Sequence, residues 1–170
     1  MKHYFRYVVT ALFTALTCVA TYFIHIPVPM VNGYANLGDA IILLCAFLFP
    51  STSGIAAAGI GAALADVLSG YLIYAPATLI IKAGVFAMAM LLSRRGGLFC
   101  VLAAVASELW MVLGYLFFEA IVMGLHSGAF ASIPGNLVQA LASVVIALVL
   151  TPVMLRSSEI KKYIHQYKEN

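Results

Sequence analysis

The stretch from Gly33 to Ala83, GYANLGDAIILLCAFLFPSTSGIAAAGIGAALADVLSGYLIYAPATLIIKA, decides the fold of this chain. It reads as consecutive hydrophobic spans, yet it carries Asp39, Asp66 and Lys82. An ionisable side chain inside hydrocarbon costs about 3 kcal/mol on insertion scales and more in simulations. Such residues persist there only where they face a partner, a cavity or a ligand. The rest of the sequence is then the wall built around that polar patch.

Composition agrees with this reading. The 170 residues are 64% hydrophobic and 9% charged, with a mean hydropathy of +1.06. A soluble domain has about 25% charged residues, so these values define an integral membrane protein. Nine basic against six acidic residues give a formal charge of +3, too little for a nucleic-acid partner. Cys18, Cys45 and Cys100 stand singly in apolar runs without CxxC or Cys/His spacing, and read as small buried hydrophobes. No disulfide, metal site or cofactor is expected. Nor is an enzyme, because HExxH, GxSxG and paired-aspartate motifs are all missing from the sequence. The opening MKHYFRYVVTALFTALTCVATYF has the basic start and apolar run of a signal peptide. Its run reaches about 20 residues, the length of a membrane span, and lacks a clean small-x-small cleavage site before HIPVP. It reads as the first membrane helix.

Proline, glycine and polar punctuation divides the chain into six spans, at about 4–25, 37–49, 54–69, 75–92, 98–125 and 137–155. The expected fold is an all-α, six-transmembrane-helix bundle forming a single domain over 1–155, followed by a polar basic tail over 156–170. That tail is expected in water or along the headgroups. IPVPMVNGYAN, after the first span, reads as a loop. The third span is dense in Ala and Gly, which lets backbones approach closely in lipid, and is expected at the centre. With six spans, Lys2, Arg6, Arg94, Arg95, Arg156, Lys161, Lys162 and Lys168 all fall on one side. The positive-inside rule makes that side, and both termini, cytoplasmic. The turn at 50–53 is cytoplasmic too, although it carries no charge.

The costly residues gather towards the other side. Asp39 lies just inside the outer end of the second span, and Asp66 about one turn from the outer end of the third. Lys82 is about 10 Å into the fourth at 1.5 Å per residue. Glu119 is near the outer end of the fifth, and Asn136 and Gln139 open the sixth. Only Glu108 approaches the inner half. Three polar stripes follow from helical spacing: Tyr74, Thr78 and Lys82; Glu108, Met111 or Val112, Tyr115 and Glu119; and Asn136, Gln139 and Ser143. Facing one another, they would line a pocket open to the outside that suits a small, flat, polar ligand. A structural ion pair of Lys82 with Asp66 or with Asp39 is an equally open reading. Tyr34 and Tyr115 also suit interfacial or packing roles, and Glu108 also suits a helix-to-helix hydrogen bond. Ala11 and Ala15 form a small-xxx-small pair on the first helix, a flat face for another helix.

The chain as a whole resembles the substrate-binding S component of an energy-coupling factor (ECF) vitamin transporter. The resemblance spans about residues 5 to 155. It rests on the AxxxA-type face at Ala11 and Ala15, on GYANLGDAIILL, on ALADVLSGYLIYAPATLIIK, and on six short spans in a chain of this length. It is closest in kind to the riboflavin/pyridoxine/pantothenate-like group. The resemblance implies a pocket for a water-soluble vitamin, formed by the first outer loop at 32–36 and the outer parts of the fourth to sixth helices. The substrate-binding residues are then Tyr34, Asn36, Tyr74, Thr78, Lys82, Glu108, Tyr115, Glu119, Asn136 and Gln139. It further implies a transmembrane T component, met through Ala11 and Ala15, and two ABC-type ATPases in a bacterial plasma membrane. No GxxxxGK[ST] motif occurs in the sequence, so ATP hydrolysis falls to those partners. A small aromatic heterocycle bearing hydroxyls, such as pyridoxine, suits the Tyr/Asn/Gln/Glu chemistry, with riboflavin, pantothenate and a pyrimidine precursor as further candidates. The rival reading is an autonomous proton- or ion-coupled carrier using the same acids and lysine. Against it stand the absence of an evident inverted repeat and the clustering of the acids at one side.

Overall fold

Apolar runs become helices here because lipid leaves the backbone no other partner than itself, and the breaks fall where the sequence supplies a turn. A computed structural model describes residues 2–28 and 33–169, with side chains for 4–24 and 36–167. Helix α1 (Lys2–Phe23) is followed by strands β1 (His25–Val28) and β2 (Gly33–Asn36). Then come α2 (Gly38–Leu48), α3 (Thr52–Leu68), α4 (Ala75–Leu92), α5 (Leu98–Phe117), α6 (Ile133–Met154) and α7 (Ser158–Glu169). After Pro50, Ser51 caps α3 by accepting from the Gly54 N–H at 3.0 Å. Pro76 and Pro134 sit in the first turns of α4 and α6, where a missing N–H costs nothing. Gly96 and Gly97, at φ +66° and +55°, make the turn into α5 that an L side chain would resist.

Four segments are long and apolar enough to cross a membrane: Tyr4–Phe23, Ala75–Arg95, Leu98–Val122 and His126–Met154. Gly38–Leu48 and Thr52–Leu68 are shorter apolar helices. At 1.5 Å per residue, the 11 residues of α2 rise only about 16 Å, roughly half of a hydrocarbon core. The helical bundle is therefore as expected, built from four long helices and two short ones.

Three local features differ from the sequence expectation. The stretch after α1 is a two-stranded antiparallel ribbon, pairing His25 with Asn36, Ile26 with Ala35, Pro27 with Tyr34 and Val28 with Gly33. The enclosed helix is α2, in which every residue but Ile41 and Phe47 is buried, packed against α1, α4 and α6. The Ala/Gly-rich α3 lies between α1 and α4 and keeps Ile60, Leu64, Val67 and Leu68 exposed. It does pack closely: a Cβ on Gly59 would lie 2.5 Å from the Leu79 carbonyl oxygen, and one on Gly61 2.6 Å from that of Thr14. Small residues report how near a neighbouring helix comes, not how many sides are covered, because lipid accepts the remaining apolar face. Finally, the polar tail forms α7 and folds back on the bundle. Tyr167 is buried, donates to Ser51 Oγ at 2.6 Å and meets Phe49 edge-on at 5.3 Å, while Tyr163 stacks on Phe5 at 6.2 Å.

The antiparallel run of α1 to α6 gives the bundle two ends. One carries the ribbon and the start of α2. The other carries Arg6, the turn at 93–95 and α7, and is called the basic end below.

Candidate functional site

Asp39 is the second residue of α2, and its position is fixed before any ligand is considered. Asn36, last residue of β2, accepts from the Gly38 N–H through Oδ1 at 2.9 Å and so holds the start of α2. Gly38 packs so closely on α1 that a Cβ there would collide with the Thr21 hydroxyl. Lys82, reaching in from α4, places Nζ 2.6 Å from Asp39 Oδ2, with both side chains buried. Gln139 of α6 donates through Nε2 to the same oxygen at 2.6 Å and accepts the Asn36 backbone N–H at 2.7 Å through Oε1. One carboxylate thus ties together the ribbon, α2, α4 and α6. Its ion pair with Lys82 lies wholly out of water. Of the two aspartates the sequence left open, it is Asp39 that pairs with Lys82, while Asp66 is buried near the end of α3.

Beside this hub lies a tier of phenols. Lys82 Nζ stands 5.4 Å from the centroid of the Tyr115 ring, and the Tyr115 hydroxyl is 2.9 Å from that of Thr78. Tyr74 donates to Glu119 Oε1 at 3.2 Å. Burial pushes the Tyr74 phenol above its usual pKa, and the charge of Glu119 adds to this, so Tyr74 remains a donor. Glu119 does not sit on a regular helix. It falls in a π-helical turn, Phe118–Val122, and is buried; such widened turns recur at functional sites. Glu108, at 2% exposure, lies close enough to Asp39 and Lys82 to feel both charges. Asn136, Gln139 and Ser143 are buried on α6. The three stripes inferred from spacing do face one another.

What they leave unsatisfied is informative. Asp39 Oδ1, both Glu108 oxygens, Glu119 Oε2 and Ser143 Oγ are buried with no hydrogen-bond partner among the described residues. Buried polar atoms without partners are exceptions that call for a reason, since each forfeits its hydration. The site is chemically a set of acceptors between aromatic faces, with one cation at its base.

The model of the family described as ECF-type riboflavin transporter, S component, matches residues 3–156. The chain belongs to that family. It also matches the solved structure of the S component of a bacterial ECF transporter with a TM-score of 0.72. That likeness covers 89% of this chain and 95% of the other at 17% identity, and so speaks for the fold. A Pyrococcus woesei protein described as an uncharacterized protein in gap 3′ region is 36% identical over 130 residues, 75% of this chain and 86% of that protein. The chain is thus an S component, a membrane transport protein rather than a member of an enzyme class.

The remaining positions singled out in this S component fall as follows. Tyr34 belongs to β2, but its side chain lies outside the described residues, as does Asn32 altogether. Ala11 and Ala15 are exposed on α1, on a face that continues through Val8, Leu12 and Leu16. They do not pack inside the bundle; that work falls to the opposite face, where Thr17 and Thr21 are buried. Asp39 and Thr21 had no place among the ligand-contacting candidates. The signal for Asp39 was its cost within an apolar run, and for Thr21 its spacing of four from Thr17.

Proposed function

We propose that this chain is the high-affinity substrate-binding subunit of an ECF-type ABC importer for a water-soluble vitamin, multi-pass in a bacterial plasma membrane. The reading is carried by the unpartnered acceptors of Asp39, Glu108, Glu119 and Ser143, held beside Tyr74 and Tyr115. A flat heterocycle with hydroxyl or ring N–H donors satisfies them and stacks against the phenols. The family's own name favours riboflavin, whose fused ring and hydroxylated chain offer both, over the smaller pyridoxine. Tyr34, Asn36, Thr78, Lys82, Asn136 and Gln139 complete the proposed pocket, which opens outside. Both termini and the basic end then face the cytoplasm by the positive-inside rule. Energy comes from partners, a T component and two ABC-type ATPases.

The test is calorimetric titration of the purified chain with riboflavin and with pyridoxine, beside mass-spectrometric identification of any co-purified ligand. Glu119→Ala and Asn136→Ala should each lower affinity about tenfold or more, the worth of a lost buried hydrogen bond of roughly 1–3 kcal/mol. Unchanged affinity in both variants would move the pocket elsewhere. Uptake driven by a proton gradient in liposomes holding this chain alone would favour the carrier instead.

A further inference from the structure

At the basic end, remote from the Asp39 hub, an open cleft of ≈ 550 Å³ lies between α1, the α2–α3 turn and the end of α4. Its apolar lining, called the floor here, includes Phe47, Pro50 and Met90, and Arg6, Arg94, Thr52 and Ser93 line it as well. No acidic residue lines it. Neither arginine has a carboxylate partner among the described residues. Arg6 is nonetheless held in place, its guanidinium 5.2 Å from the Tyr167 ring centroid, and Tyr167 is itself pinned to Ser51 at 2.6 Å. One held guanidinium and a second arginine on the same cleft, neither with a carboxylate partner among the described residues, fit a tetrahedral anion, since a guanidinium can grip one by two N–H donors. The start of α3 opens on the same cleft through Thr52 and adds its positive dipole end.

The floor narrows the choice of anion. A free phosphate ester would use the arginines and leave Phe47, Pro50 and Met90 uncovered. The arginines mark headgroup depth, and the neighbouring helix surface, with Leu91 and Leu92 exposed, faces lipid. Basic clefts at this depth suit anionic headgroups. We propose that this cleft binds the phosphate of an anionic phospholipid of the adjoining leaflet between Arg6 and Arg94, with its acyl portion on the apolar floor.

The experiment is native mass spectrometry of the delipidated full chain with short-chain phosphatidylglycerol, phosphatidylcholine of equal chain length, and glycerol phosphate. Phosphatidylglycerol should be retained at least tenfold better than either. Arg6→Gln with Arg94→Gln should lose at least tenfold of that retention. Arg95→Gln should leave it unchanged, because Arg95 lies over the Phe99 ring at 5.2 Å and does not line the cleft. Arg94→Glu alone, at an exposed turn position, tests the charge without endangering the fold and should lose at least tenfold as well. Equal retention of the two lipids, or undiminished retention in the arginine variants, overturns the proposal. Glycerol phosphate binding as tightly as phosphatidylglycerol overturns the lipid assignment, since the floor would then contribute nothing.

Discussion

Lys82 and Asp39 meet at 2.6 Å with exposures of 1% and 0%, so in place of water the ammonium has the carboxylate and the Tyr115 ring, and the carboxylate has the ammonium and the Gln139 amide. Removing one partner of such a pair strands the other charge and costs about 3–5 kcal/mol, whereas replacing both with neutral groups often costs little. Lys82→Met is therefore expected to lower the melting temperature in detergent and the yield from membranes. Lys82→Met with Asp39→Asn should recover much of the loss, because an amide oxygen still accepts from Gln139. Thermal denaturation of the two variants and of Asp39→Asn forms the cycle; a wild-type melting temperature for Lys82→Met would show that the pair does not hold the bundle. The sequence left Asp39 and Asp66 equally open as partners, and for a physical reason. Spacing places residues on a face of their own helix, while the choice between two acids depends on which helix lies across from α4 at that height.

Helix boundaries were legible because they are written in local chemistry: Pro50 and the Ser51 cap, Pro76, and the Arg94–Gly97 turn all act within a few residues. The ribbon was not, since two prolines within IPVPM read as breakers and the strands find their partners across the turn, from five to eleven residues away. The π turn that carries Glu119 is a register of the backbone with no residue signature. For α7 a signal did exist, in the spacing of Ile160, Tyr163 and Tyr167 along one face, but high charge made it read as solvated. Close packing of α3 on α1 gives an element-scale prediction. Gly61→Ala would drive a methyl against the Thr14 carbonyl, and overpacking of this kind costs about 1–3 kcal/mol. Its melting temperature should fall, and that of Gly61→Leu should fall further. Wild-type melting of both variants would mean that α1 can move away from α3 at no cost.

At the scale of the whole molecule, α1 stands apart from the other long helices. Only 11% of its membrane window is buried, against 44% for the window containing α4, so one side of it is left to lipid or to another protein. Ala11 and Ala15 lie on that outward side, where a small-residue pair lets a helix approach within van der Waals range, and such packing is much of what drives association in a bilayer. The Asp39 hub uses α2, α4 and α6 instead, so the proposed substrate pocket and the proposed docking face lie on different helices and can be separated by mutation. We expect Ala11→Trp with Ala15→Trp to keep vitamin affinity and thermal stability, yet to lose both capture of the T component and ATP-dependent uptake of radiolabelled vitamin in cells. Bulk on a lipid-facing side is tolerated by the isolated subunit and felt only by a partner that must come close. Normal transport by the double variant would place the coupling surface on another helix and leave the small-residue pair without a role. Lost binding together with lost transport would point to damage reaching the hub through Thr17 and Thr21, the buried side of the same helix.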